Sequence, residues 1–112
     1  MKENWVILVA FIVMSVGILS GCTQQKSSSG NTNTITIQNF AFNPPTLTIK
    51  VGENVTWTNE DSASHQVKED NGLFLSSVLG NGQSFTYTFT TVGTYNYTCN
   101  IHSSMHGKVI VE

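Results

Sequence analysis

From Thr34 onward the chain alternates apolar and polar residues with a period of two. Ile35 and Ile37 alternate with Thr36 and Gln38, and Val55 and Trp57 with Thr56 and Thr58. Leu47, Ile49 and Val51 alternate with Thr46, Thr48 and Lys50. Phe85, Tyr87 and Phe89 alternate with threonines, as do Tyr95, Tyr97 and Cys99 with Asn96 and Thr98. Val109 and Val111 close the series against Lys108 and Ile110. Successive side chains of a strand point to opposite faces, so each run predicts a strand with one buried face. The many threonines suit the exposed side of a pleated sheet. Turn residues separate the runs at Asn43-Pro44-Pro45, Val51-Gly52-Glu53-Asn54, Gly80-Asn81-Gly82 and Val92-Gly93. Short strands at a spacing of about ten residues predict an all-β sandwich. No helix is strongly signalled in this region, and the apolar patch Phe74 to Leu79 fits either a short strand or an irregular segment.

The front of the chain follows another rule. Lys2 precedes an almost wholly apolar run from Trp5 to Leu19, which ends in Leu19-Ser20-Gly21-Cys22. A run that short behind a basic residue predicts a secretory signal peptide rather than a spanning helix. Leu-Ser-Gly-Cys resembles the lipobox of prokaryotic lipoproteins, which implies cleavage before Cys22 and lipidation of its thiol as a membrane anchor. The competing explanation is an ordinary leader that leaves Cys22 free. Thr23 to Asn33 holds no large apolar residue and reads as a tether. The expected organisation is a leader over 1–21, a lipidated cysteine and linker over 22–33, and one domain over 34–112 on the extracytoplasmic face of the membrane.

Charge excludes one class of partner. The chain has a formal net charge of −2 and its basic residues are all lysines. Without arginine forks or a basic patch, nucleic acid is not an expected ligand. The pairs Glu60-Asp61 and Glu69-Asp70 are expected first as solvated loop charges, and second as a surface that steers a basic partner.

Candidate chemistry concentrates in Tyr95 to Val109, Y-N-Y-T-C-N-I-H-S-S-M-H-G-K-V. Cys99, His102 and Met105 stand at steps of three, and no other cysteine or methionine follows Cys22. Alone, each has an ordinary explanation: a core cysteine, a surface histidine, a core-filling methionine. A lipidated Cys22 would leave Cys99 without a partner, and an exported free thiol is exposed to oxidation unless buried, catalytic or metal-bound. One thiolate, two imidazoles and a weak thioether are the donors of a blue-copper site. His65 is available as the second imidazole. Zinc is the rival metal, although a thioether is a poor fourth zinc donor. A Cys-His nucleophilic pair is a weaker rival, because no orienting third group is evident. By strand parity, Cys99 points into the core at a strand end, with His102 and Met105 on the connection to the last strand.

The pattern Tyr97-x-Cys99-x-x-His102-x-x-Met105-x-Gly107-x-Val109 resembles the copper loop of the cupredoxins, specifically the short-loop amicyanin type. The resemblance extends over Phe42-x-Pro44, Val51-Gly52-x-x-Val55-x-Trp57-x-Asn59 and His65. It implies a cupredoxin Greek-key β-sandwich. It also implies one copper ion cycling between Cu(I) and Cu(II), with His65, Cys99 and His102 equatorial and Met105 axial. The function implied is single-electron transfer between membrane-associated or extracytoplasmic redox proteins. The chain is expected to be a monomer and not an enzyme, with His102 as the electron port. The alternative is a module that stores or delivers copper without redox turnover. Two departures stand out. Gln66 follows His65 where the family often has an asparagine that ties the ligand loops together. His106 lies outside the motif and is expected to be a bystander before a partner contact or a stand-in ligand.

Overall fold

A computed structural model describes residues 33–112. The leader, the lipobox with Cys22 and nearly all of the linker lie outside the described residues. The described residues form eight strands and contain no helix: β1 Asn33–Gln38, β2 Ala41–Asn43, β3 Thr46–Ile49, β4 Asn54–Asn59, β5 Val67–Glu69, β6 Ser84–Thr88, β7 Gly93–Cys99 and β8 His106–Val111. Two four-stranded sheets result, in the orders β2-β1-β4-β6 and β3-β8-β7-β5. Each sheet contains one parallel pair, β1 with β4 and β3 with β8. The other pairings are antiparallel.

The alternation in the sequence becomes the core. Ile35, Ile37, Val55, Trp57, Tyr97, Cys99, Val109 and Val111 are buried, while the threonines between them are not. Each large apolar side chain removed from water contributes about 1.5–3 kcal/mol. Phe85, Tyr87 and Tyr95 are only partly buried and pack on the edge of this cluster. Trp57 stands at its centre, with ring centroids 5.3 Å from Tyr97, 5.5 Å from Phe74 and 5.7 Å from Phe85.

Two stretches depart from simple alternation. Val51 does not continue the inward face of β3: it is exposed in a turn where Glu53 N–H donates to Lys50 O and Gly52 has φ +93°. Phe74 to Leu79 resolves as an irregular segment fastened by two isolated bridges, Lys68 to Leu75 and His65 to Leu79. Phe74, Ser76 and Leu79 are buried there, while Leu73, Leu75 and Val78 face outward.

The hairpin between β1 and β2 turns on two residues. Gln38 pairs with Ala41, and the loop residues Asn39 and Phe40 both have φ +56°. This is a type I′ geometry, in which glycine or asparagine is the favoured residue. Asparagine tolerates it. Phenylalanine rarely adopts it, because Cβ crowds the backbone at a cost of about 1–2 kcal/mol.

Candidate metal centre

One end of the sandwich gathers three donors from two distant segments. Cys99 is the last residue of β7 and pairs with Val67 of β5, which fixes its side chain inward. After Cys99 the chain folds back at once. Met105 N–H donates to His102 O at 3.0 Å, and Cys99 N–H donates to Met105 O at 3.1 Å. These bonds close the loop from 99 to 105 into a compact turn before β8. The turn brings the His102 N–H within 3.4 Å of Cys99 Sγ, which ties the two candidate donors through the backbone.

His65 arrives from the opposite side. It exchanges both backbone hydrogen bonds with Leu79, at 3.0 and 2.7 Å. Its loop is braced by the buried Asn59, whose Nδ2 donates to Ala63 O at 2.9 Å and Leu79 O at 2.8 Å. Asn59 Oδ1 accepts the Asp61 N–H at 2.8 Å. Asn59 is thus a rigid strut that carries the histidine loop.

The donor atoms of His65, Cys99 and His102 lie within 4.8 Å of one another. Cys99 Sγ is 3.7 Å from His65 Nδ1 and 3.9 Å from His102 Nδ1, and the two Nδ1 atoms are 3.2 Å apart. A triangle with these sides has a centre about 2 Å from each corner, close to a metal–imidazole bond length. One thiolate and two imidazoles in a trigonal set suit copper. Met105 is buried on the same loop. His65 and Cys99 are fully buried, whereas His102 is partly exposed. The donor set therefore has one edge open to solvent, at His102.

His65 has a second partner. Its Nε2 lies 2.9 Å from Asp61 Oδ2. A carboxylate only accepts, so in the neutral ring Nε2 carries the hydrogen and Nδ1 keeps its lone pair, facing the thiol. The Phe40 N–H beside the Asp61 carboxyl, with the Asn39 N–H and His65, holds it below the usual carboxylate range against the opposing effect of burial. This corrects the expectation of free loop charges. Asp61 is engaged and partly buried, and Glu69 is buried with Oε1 accepting from the Asn71 and Leu73 amides. Glu60 and Asp70 are exposed, although Asp70 Oδ1 accepts the Thr98 hydroxyl. An acid four residues before the candidate donor His65, ahead of a buried segment, is the available signal for Asp61.

His106 does not join the donors. It is exposed, and its Nδ1 is 3.3 Å from Thr98 Oγ1. The departure at Gln66 is compensated: its Oε1 accepts from Asn100 Nδ2 at 3.0 Å, so the ligand loops are tied after all.

A family model described as a cupredoxin-like domain matches residues 8–111. Amicyanin of Paracoccus denitrificans is 36% identical over 88 residues, which cover 70% of this chain and 63% of that protein. Amicyanin-alpha of Methylorubrum extorquens is 34% identical over 93 residues, covering 79% of this chain and 77% of that one. This chain therefore spans less than two thirds of the Paracoccus protein. Among solved structures, a Cu(I) amicyanin variant superposes with a TM-score of 0.70 at 31% identity, covering 77% of this chain and 87% of the other.

Proposed function

The chain belongs to the cupredoxin family, and from that premise we propose that it is a type 1 copper protein that carries single electrons between extracytoplasmic redox proteins. His65, Cys99 and His102 would hold the ion as its strong donors, with the Met105 thioether as a weak fourth donor. The observation that carries this assignment is the convergence of Cys99 Sγ, His65 Nδ1 and His102 Nδ1 at 3.2–3.9 Å, at the buried end of a β-sandwich. When bound, copper supplies a one-electron couple between Cu(I) and Cu(II).

The chain's own residues do the rest. Cys99 and His65 are held by strand pairing and by the Leu79 bridge, so the donors need little rearrangement when the charge on the site changes. Burial of both excludes water from that side. His102 is the partly exposed member of the set and the port through which an electron enters or leaves. No step uses a substrate or moves a covalent bond. A deep, braced donor set favours this role over storage or delivery of copper, where ligands must release the ion to a partner.

The finer assignments are that Cys22 is lipidated after removal of residues 1–21, that the lipid tethers a monomeric domain to the outer face of the membrane, and that the partners are redox proteins there. Membrane fractionation tests the anchor. The Cys22→Ala chain should move to the soluble fraction, and continued membrane attachment would contradict the tether.

For the copper reading, the purified chain is titrated with cupric ion while its visible spectrum is recorded. An intense thiolate-to-copper band that is absent in Cys99→Ser supports the assignment. A colourless wild-type protein sinks it. Fast electron self-exchange with slow metal loss separates the carrier from a delivery module.

A further inference from the structure

Phe40 is a costly residue in an odd place. It occupies a left-handed position where glycine is preferred, and about half of it is exposed. A core role does not account for it. Its ring meets the two imidazoles instead: its centroid is 5.2 Å from His65 and 4.9 Å from His102, edge-on to both at 84° and 80°. The two imidazoles are themselves 5.0 Å apart, so Phe40 lies across the seam between them.

One side chain holds this arrangement. Asp61 Oδ1 accepts the Asn39 N–H at 2.7 Å, and Oδ2 accepts the Phe40 N–H at 2.9 Å. The same Oδ2 accepts from His65 Nε2 at 2.9 Å. Asp61 is itself fixed through its backbone, with N–H donated to Asn59 Oδ1 and carbonyl accepting from Asn81 Nδ2 at 3.0 Å. A strained backbone persists only where its surroundings over-determine it. Here the over-determining group is also the one that orients a ligand histidine.

We infer that Asp61 is a dual positioning residue: it turns His65 Nδ1 toward Cys99, and it pins Phe40 as a cover over the seam between His65 and His102 that slows escape of the metal. The carboxylate supplies the acceptor that selects the Nε2–H form of His65. It also supplies the two acceptors that keep the Asn39–Phe40 turn left-handed. The cover rests on the copper reading of the site. The orientation of His65 does not.

Two experiments on the full chain in detergent separate these parts. First, long-range proton–nitrogen spectra of copper-free protein report the ring form of His65. The wild type should show the Nε2–H form with a slowly exchanging proton. Asp61→Ala should give mixed forms and a fast-exchanging proton, and Asp61→Glu should restore the wild-type signature. An unchanged His65 signature in Asp61→Ala overturns the positioning role. Should Asp61→Ala fail to fold, Asp61→Ser serves: its hydroxyl oxygen stands one bond short of the carboxylate oxygens that reach His65, and the same loss of the single ring form is expected.

Second, copper-loaded protein is reduced and challenged with a cuprous chelator. Phe40→Gly suits the left-handed position, so its thermal midpoint should equal or exceed that of the wild type. Its copper loss should be faster by about tenfold, the scale of outer-shell effects on metal sites. Equal rates in Phe40→Gly and wild type overturn the cover. Failure of the wild type to take up copper overturns the cover together with the copper reading, while the His65 spectra still decide the role of Asp61.

Discussion

Asn100 is bonded to Gln66 twice: its backbone N–H donates to the Gln66 carbonyl at 2.8 Å, and its side-chain Nδ2 donates to Gln66 Oε1 at 3.0 Å. Gln66 follows His65 and Asn100 follows Cys99, so this clasp joins the two segments that carry the donors. The longer glutamine side chain also reaches Ser76, with Nε2 donating to Ser76 O at 2.8 Å. One residue thereby ties three segments around the site.

Gln66→Ala should lower stability by about 1–2 kcal/mol, since two side-chain hydrogen bonds are lost while the backbone bond survives. It should also broaden the copper spectrum by letting His65 and Cys99 vary in separation. Chemical unfolding of Gln66→Ala, Asn100→Ala and the double variant checks the clasp. The two single losses should fail to add, and simple additivity would mean that the side chains act separately.

Met105→Leu should keep the thiolate-to-copper band and raise the reduction potential. Leucine fills a similar volume, so the buried loop end survives. Loss of a weak donor disfavours the cupric state more than the cuprous one. Voltammetry and visible spectra measure both. Complete loss of copper binding in this variant would count against an axial role.

Much of the fold was legible because burial here follows strand parity. Ile35, Val55, Trp57, Tyr97, Cys99 and Val109 obey the period of two, and all are buried. The Cys99, His102 and Met105 spacing was legible for a related reason, since one short loop carries all three. What escaped depended on contacts between segments far apart in sequence. Asp61 looks like a solvated loop acid until the β1–β2 hairpin is laid against it. Phe40 carries no turn signal, because a phenylalanine where glycine is expected after Asn39 hides the left-handed pair. Val51 fits both the parity of β3 and the turn signal that follows it, and the turn prevails because β3 ends at Ile49.

Tyr97→Phe should flatten the alkaline loss of stability. Burial pushes the Tyr97 phenol up to about 12, and the nearby Trp57 indole offsets part of that rise. Neither Trp57 Nε1 nor Tyr97 Oη has a hydrogen-bond partner. The folded state thus holds the proton more tightly than the unfolded chain, whose phenol ionises near pH ~10. The stability of the wild type is intact below that value. It falls as pH rises from there to about 12, by roughly 2–3 kcal/mol in total. Phenylalanine has no proton to lose, so this component of the decline disappears. At neutral pH the exchange should change stability by less than about 1 kcal/mol, because the buried hydroxyl has no partner to forfeit. Denaturant unfolding from pH 7 to 12 measures both effects.

Gly107→Ala should destabilise the domain by about 1–3 kcal/mol, the scale of overpacking in a close-packed core. Gly107 lies on β8 directly opposite Tyr97 of β7. A Cβ added there would fall onto the Tyr97 ring, meeting Cε1, Cζ and the hydroxyl oxygen inside van der Waals contact. The ring cannot swing away, because Phe42 stacks edge-on at 4.7 Å and Trp57 at 5.3 Å. Relief must come from β8 moving outward, which pulls on the loop that closes at Met105. Gly107→Ala should therefore also disturb the copper spectrum, although Gly107 offers no side chain to the site. The cause is testable by suppression. In a Tyr97→Leu background the shorter side chain leaves room for the methyl group, and Gly107→Ala should cost less there than in the wild type. An equal cost in both backgrounds would place the strain in the backbone of β8 rather than against the Tyr97 ring.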